Sequence, residues 1–237
     1  MPNWCETNIM ITGDSDTLAE LDRIMRSEGY ERPREADEDG QPMRLVPMPE
    51  VLQGTRSPAP EGDFDPDGRW QTLVDDPSND YWTPMHYKSE KAAHEALVAR
   101  AARAKAEAGY ADWYNWSVDN WGTKWPMSVH GYTYDSGAIH ISGETAWAPP
   151  SELLRTISER WPVTIRLSYA EPGMDFIGAS VFEKGLEHDS SGSFLDHMPE
   201  NLDWDDPETW DTEQAVRAEL IDHHERQAAI EAGLARL

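Results

Sequence analysis

The stretch from Trp4 to Thr12 alternates without a break. Cys5, Thr7, Ile9 and Ile11 take one side, and Glu6, Asn8 and Met10 take the other. That period belongs to a β-strand with one buried side, and no helix fits it. Gly13 ends the run, and Asp14-Ser15-Asp16 offers a helix N-cap. Leu18, Leu21, Ile24 and Met25 then follow at helical spacing up to Gly29. Alternation returns in Met127, Val129 and Gly131 up to Tyr134. After the turn signal Asp135-Ser136-Gly137 it continues in Ile139, Ile141, Gly143 and Thr145. Pro149-Pro150 opens a second helix with apolar Leu153, Leu154 and Ile157, ending at Trp161. Val163, Ile165, Leu167 and Tyr169 form a further strand, and Pro172-Gly173 turns the chain into another over 174–182.

The order βαββαβ plus one strand predicts an α+β fold of the ferredoxin-like, split-βαβ kind. That fold is one antiparallel sheet with helices on one face, here with the 4–12 strand central. Residues 1–185 are expected to form this domain. A long insertion at about 31–125 separates its first helix from its second strand. Within it, 31–87 is rich in Pro, Gly and Asp, and only Met43–Pro47 reads as a short strand. Ser89 to about Ala108 reads as a plain helix stopped by Gly109, and an aromatic stretch runs from Trp113 to Trp125. Residues 186–237 are expected to be an acidic surface loop and a C-terminal amphipathic helix. The helix starts near Asp206-Pro207 or Asp211 and carries a stripe of Val216, Leu220, Ile230 and Leu234.

Composition limits the function classes. The 237 residues include 45 Asp plus Glu against 20 Lys plus Arg, a net charge of -25. Phosphate backbones are held by Lys and Arg, so direct nucleic-acid binding is not expected. The span 185–213 alone carries ten acidic residues and no Lys or Arg, so it is expected to loop over the surface and add little to packing. No apolar run is long enough for a membrane helix, and Met1-Pro2-Asn3-Trp4 does not open a signal peptide. With Cys5 the sole cysteine, an intramolecular disulfide and a Cys-rich zinc site are both excluded. The expected location is the cytoplasm.

Several short motifs stand in one order along the chain. Pro2-Asn3-Trp4-Cys5 opens it, and Pro47-Met48-Pro49 follows. Tyr114-Asn115-Trp116 precedes Asn120-Trp121-Gly122-Thr123-Lys124-Trp125. Thr145-Ala146-Trp147 precedes Pro149-Pro150, and Tyr169-Ala170-Glu171-Pro172-Gly173 leads to Phe176 and Gly178. Together they resemble the YubB-type ferredoxin-like domain family, found mostly on bacterial plasmids and phages. The resemblance covers about 1–30, 42–54 and 110–185. It departs at the acidic inserts 31–87 and 186–213 and at the final helix. It implies the fold and a mobile-element origin, and it brings no reaction with it.

The richest candidate site is the loop Asn120, Trp121, Gly122, Thr123, Lys124 and Trp125, together with Trp116, Trp147 and Glu171. Glycine lets a backbone approach closely, lysine offers a point charge, and tryptophan offers a stacking face. Such a loop suits a small ligand or a partner protein of host or phage. The structural alternative is that the indoles plug the end of the sheet and Lys124 pairs with Glu171 or Asp119. The spacing is not that of a P-loop. A second candidate is Asp63, Asp65 and Asp67 before Gly68, the opening of a calcium loop. It lacks the closing Glu, since Val74 stands there, and Pro66 stiffens it. No other cofactor is expected. His130 and His140 are placed across a hairpin beside Glu144, a cluster suited to proton transfer or to structure. Cys5 is expected to be a buried, inert thiol.

The leading expectation is a non-catalytic binding or accessory protein of a phage or plasmid in the host cytoplasm. One alternative is an acidic decoy that mimics nucleic acid and inhibits a host DNA-binding defence or regulatory protein. The other is an enzyme acting on nucleotides or nucleic acid. A decoy needs its charge on one continuous face, whereas an enzyme needs a polar cluster in a cleft.

Overall fold

The computed structural model describes residues 3–27, 40–63, 90–135, 137–199 and 207–234. The elements follow the alternation. β1 (Trp4–Thr12) leads into α1 (Ser15–Met25), whose N-cap Asp14 accepts from Asp16 N and Thr17 N. After α2 (Glu90–Ala108) and α3 (Trp113–Trp121) come β2 (Ser128–Tyr134), β3 (Ala138–Ala146) and α4 (Ser151–Arg160). β4 (Thr164–Glu171), β5 (Phe176–Glu183), β6 (Leu186–Gly192) and α5 (Pro207–Glu231) complete the chain. The aromatic stretch at 113 is thus helical, and Pro42–Leu45 is a 3-10 turn instead of the expected strand. There the side chain of Gln41 caps the turn, and Pro42 has no N–H for a strand ladder.

Chain contacts divide the molecule into two compact units. One comprises 1–30, 36–46 and 121–237, and the other comprises 31–35 and 47–120. In the second unit, α2 packs on the 3-10 turn Glu50–Leu52, and Arg100 donates to the Gln53 carbonyl at 2.6 Å. Asp112 caps α3 through Asn115 N at 3.0 Å, and Thr55 Oγ1 accepts from Trp113 N at 2.9 Å.

The first unit holds one six-stranded sheet, ordered β2-β3-β1-β4-β5-β6, with every pair antiparallel. Its first four strands have the split-βαβ order, with β1 central as the sequence predicts. The register puts Ile9 between Ile141 and Leu167, and Ile11 between Ile139 and Ile165. These side chains are buried, as are Leu18, Leu21 and Met25 of α1 and Leu153, Leu154 and Ile157 of α4. Each contributes about 1.5–3 kcal/mol by leaving water. Tyr132 reaches this same side, donating to Asp22 of α1 at 2.7 Å. Burial and Asp22 push its hydroxyl pKa well above the usual phenol range.

The span expected to be a free acidic loop instead supplies β6, paired with β5 from Leu186 to Gly192. The expected boundary at 185 therefore falls inside the sheet. The acidic residues of β6 have partners: Asp189 accepts from Tyr169 and Ser180, and Glu187 binds Arg155 of α4 at 2.6 Å. Phe194 is 4% exposed in a cluster with Ala170, Ile177 and Leu220. The span thus contributes to packing. Leu202 and Trp204 lie outside the described residues. α5 docks on β4, β5 and β6 from the side opposite α4. Arg217 pairs with Glu6 at 2.9 Å, and His224 Nδ1 meets Ser190 Oγ at 2.9 Å. Of its expected stripe, Leu220 is buried and Ile230 is 55% exposed. Among the described residues no helix is long and apolar enough to cross a membrane.

Candidate functional site

The loop that the sequence singles out closes one end of the sheet. Trp121 is 4% exposed and donates Nε1–H to the Val46 carbonyl at 2.8 Å. Thr123 is 1% exposed and donates to the Ala146 carbonyl at 2.9 Å. Between them Gly122 has φ 80°, and a Cβ there would stand 3.2 Å from the Ser151 and Glu152 nitrogens that begin α4. Only glycine takes that conformation at that approach without strain. Trp125 stacks beside Trp4 with centroids 6.1 Å apart. The Lys124 ammonium lies 4.4 Å from the Trp125 ring centroid and 4.8 Å from that of Trp147. The charge is thus held against two aromatic faces. Trp116 and Asn120 belong to the second unit, where Asn120 Nδ2 donates back to the Trp116 carbonyl at 2.9 Å.

Glu171 ends β4 and is 3% exposed, with Oε1 accepting from Gly173 N at 3.0 Å. Its Oε2 is buried without a hydrogen-bond partner among the described residues, so it is not the partner of Lys124. Cys5 is fully buried; desolvation first, then the nearby Glu171 and Glu6 charges, push its thiol up to about 12, while Thr7 and Arg217 oppose them. It is the inert thiol that the sequence predicts. Of the calcium candidates, Asp63 is exposed, and Asp65 and Asp67 lie outside the described residues. No group of three metal-ligating side chains occurs among the described residues. His130 stands 3.9 Å from Glu144, but His140 pairs across the hairpin with Thr133, so the two histidines do not face each other.

The sheet side away from α1 and α4 holds a site that the sequence does not single out. α5 packs on its β4, β5 and β6 strands, while Asn8, Thr133 and His140 on the remaining strands are exposed. The register lays two polar rows across this side. One runs Thr133, His140, Met10 and Arg166; the next runs Gly131, Ser142, Asn8 and Ser168. Strands lie ~4.8 Å apart, so Arg166 and His140 are anchored about 10 Å from one another with Met10 between them. With Glu225 of α5 these residues line a groove of about 390 Å³. Arg166 is partly buried there, and among the described residues it makes no hydrogen bond or ion pair. Glu225 likewise has no partner among the described residues, so the two opposite charges share the groove without pairing. No Phe, Tyr or Trp side chain lies in either row. The Tyr132 ring is on the other side, tied to Asp22.

Residues 121–214 match the family described as "Ferredoxin-like domain in Api92-like protein". The uncharacterized protein YubB of Escherichia coli (strain K12) is 27% identical over 97 residues, 40% of this chain. The match spans 62% of that relative, less than two thirds of its length. The crystal structure of a protein api92 from Yersinia pseudotuberculosis is 16% identical with a TM-score of 0.40, covering 81% of this chain and 98% of the other.

Proposed function

We propose that this chain, whose residues 121–214 belong to the ferredoxin-like domain family of Api92-like proteins, is a non-catalytic binding protein. It takes a small polar ligand in the groove that Glu225 of α5 shares with the polar rows of the sheet. The proposal includes the setting that the resemblance implies, a phage or plasmid protein in the host cytoplasm.

Arg166 carries the reading. The chain has 45 acidic and 20 basic residues, and the arginines that reach the sheet from α4 and α5 are paired, Arg155 with Glu152 and Glu187 and Arg217 with Glu6. A guanidinium held in a groove without a described partner suits recognition of a group from outside. Nucleophilic catalysis asks for a nucleophile within hydrogen-bond reach of a base. The groove's serines, Ser142 and Ser168, make no hydrogen bond to His140 among the described residues. A decoy would act through carboxylates alone, a role that Arg166 does not serve. A floor without aromatic rings and a net charge of -25 both favour a ligand other than nucleic acid.

Equilibrium dialysis of the purified chain against a bacterial metabolite extract, read by mass spectrometry, tests the reading. The wild type is expected to enrich a small molecule that Ser142→Trp, which fills the groove, does not. Identical profiles for the two proteins would contradict it.

A further inference from the structure

Resting on the groove reading above, we infer that the ligand is a zwitterion of the α-amino acid class. Its carboxylate lies on Arg166 and its ammonium on Glu225. The guanidinium is a planar donor fork that matches two carboxylate oxygens, and it accepts nothing. The Glu225 carboxylate is an acceptor only, suited to the N–H groups of an ammonium. Both charges line one groove, and they do not pair with each other. A ligand with charge of one sign only answers half of this arrangement. A dianion such as inorganic phosphate gains Arg166 but meets repulsion from Glu225. A simple amine gains Glu225 and meets repulsion from Arg166. A molecule carrying both charges satisfies the two together.

The floor points to a polar side chain on that molecule. Asn8, Ser142 and Ser168 present donors and acceptors, and Met10 is the one apolar side chain in the two rows. The volume of about 390 Å³ holds an amino acid with accompanying water. Neither charge is fixed by a described partner that the ligand would have to displace.

Isothermal titration of the full chain with the protein amino acids, one at a time, tests this directly. Acetate, methylammonium and inorganic phosphate serve as probes with charge of one sign only. At least one polar amino acid is expected to bind, with each of these probes weaker by about tenfold or more. Arg166→Gln and Glu225→Gln should each weaken that amino acid by about tenfold or more, without changing the melting temperature. If Arg166→Gln lowers the melting temperature, Arg166→Lys replaces it. It keeps the charge but loses the fork, and it should still weaken binding. Binding of acetate or phosphate as tight as that of every amino acid would overturn the inference. So would binding unmoved by Glu225→Gln, or no amino acid binding at all. If metabolite enrichment is lost in Ser142→Trp but survives Glu225→Gln, the zwitterion fails and the groove reading stands. If Ser142→Trp changes nothing, the groove reading itself fails.

Discussion

The loop Trp121–Trp125 and the groove beside α5 both gather polar and charged groups, and they leave those groups in opposite conditions. In the loop, the Trp121 N–H and the Thr123 hydroxyl reach backbone carbonyls, and the Lys124 charge lies on two indole faces. In the groove, Arg166 and Glu225 share one space and have no described partner. Residue types that advertise chemistry in a sequence, such as Trp, Gly and Lys in a tight run, can be consumed by the fold. A residue with no motif around it can be what the fold leaves open.

The largest effect is expected at Trp121. Trp121→Ala removes a buried indole and its bond to Val46, and it should cost about 3–5 kcal/mol in chemical denaturation. A loss below about 1 kcal/mol would mean that the loop is not part of the core. Thr123→Ala leaves the Ala146 carbonyl without its side-chain donor, and about 1–3 kcal/mol is expected in the same measurement. Lys124→Ala removes a partly exposed cation from two rings, for about 0.5–1 kcal/mol. A much larger loss would show that the lysine closes a buried ion pair.

A smaller, pH-dependent change belongs to the covered half of the open side. Burial and the neighbouring His223 and His197 hold His224 below the usual imidazole range, against the pull of Asp189. Its contribution is therefore whole above the unfolded value near 6.5 and is lost as pH falls toward its lowered folded value. Unfolding midpoints followed through mildly acid pH should drop for the wild type and drop less for His224→Asn. Equal slopes would remove His224 from the docking of α5. Arg166→Ala, with no described partner to lose, should change stability by less than about 0.5 kcal/mol.

The sheet was legible wherever strands alternate apolar with polar. β1 through β5 and their order follow from Cys5, Thr7, Ile9 and Ile11 and their counterparts, because one buried side imposes the period of two. β6 was not legible. Its inward side chains on the α4 side, Glu187 and Asp189, are tied by Arg155, Tyr169 and Ser180. Hydrogen bonds of this kind hold the strand without any hydrophobic alternation. The loop's shape was half legible: burial of Trp121 follows from its size, while the position of Lys124 depends on Trp147, whose φ of 72° no local rule predicts. The groove was the least legible. Asn8, Met10, His140 and Ser142 read as the non-core side of their strands, but only the register brings Arg166 beside them. Only the docking of α5, through Leu220 and Phe194, brings Glu225 to the rim.

The most direct measurement sets the two regions side by side. The metabolite enriched by the wild-type chain in equilibrium dialysis is quantified for Arg166→Ala and for Lys124→Ala, with the melting temperature of each recorded. Arg166→Ala should keep its melting temperature and lose the metabolite, while Lys124→Ala should retain it in proportion to its folded fraction. Loss in fully folded Lys124→Ala, with full retention in Arg166→Ala, would rule out the groove and return the site to the tryptophan loop.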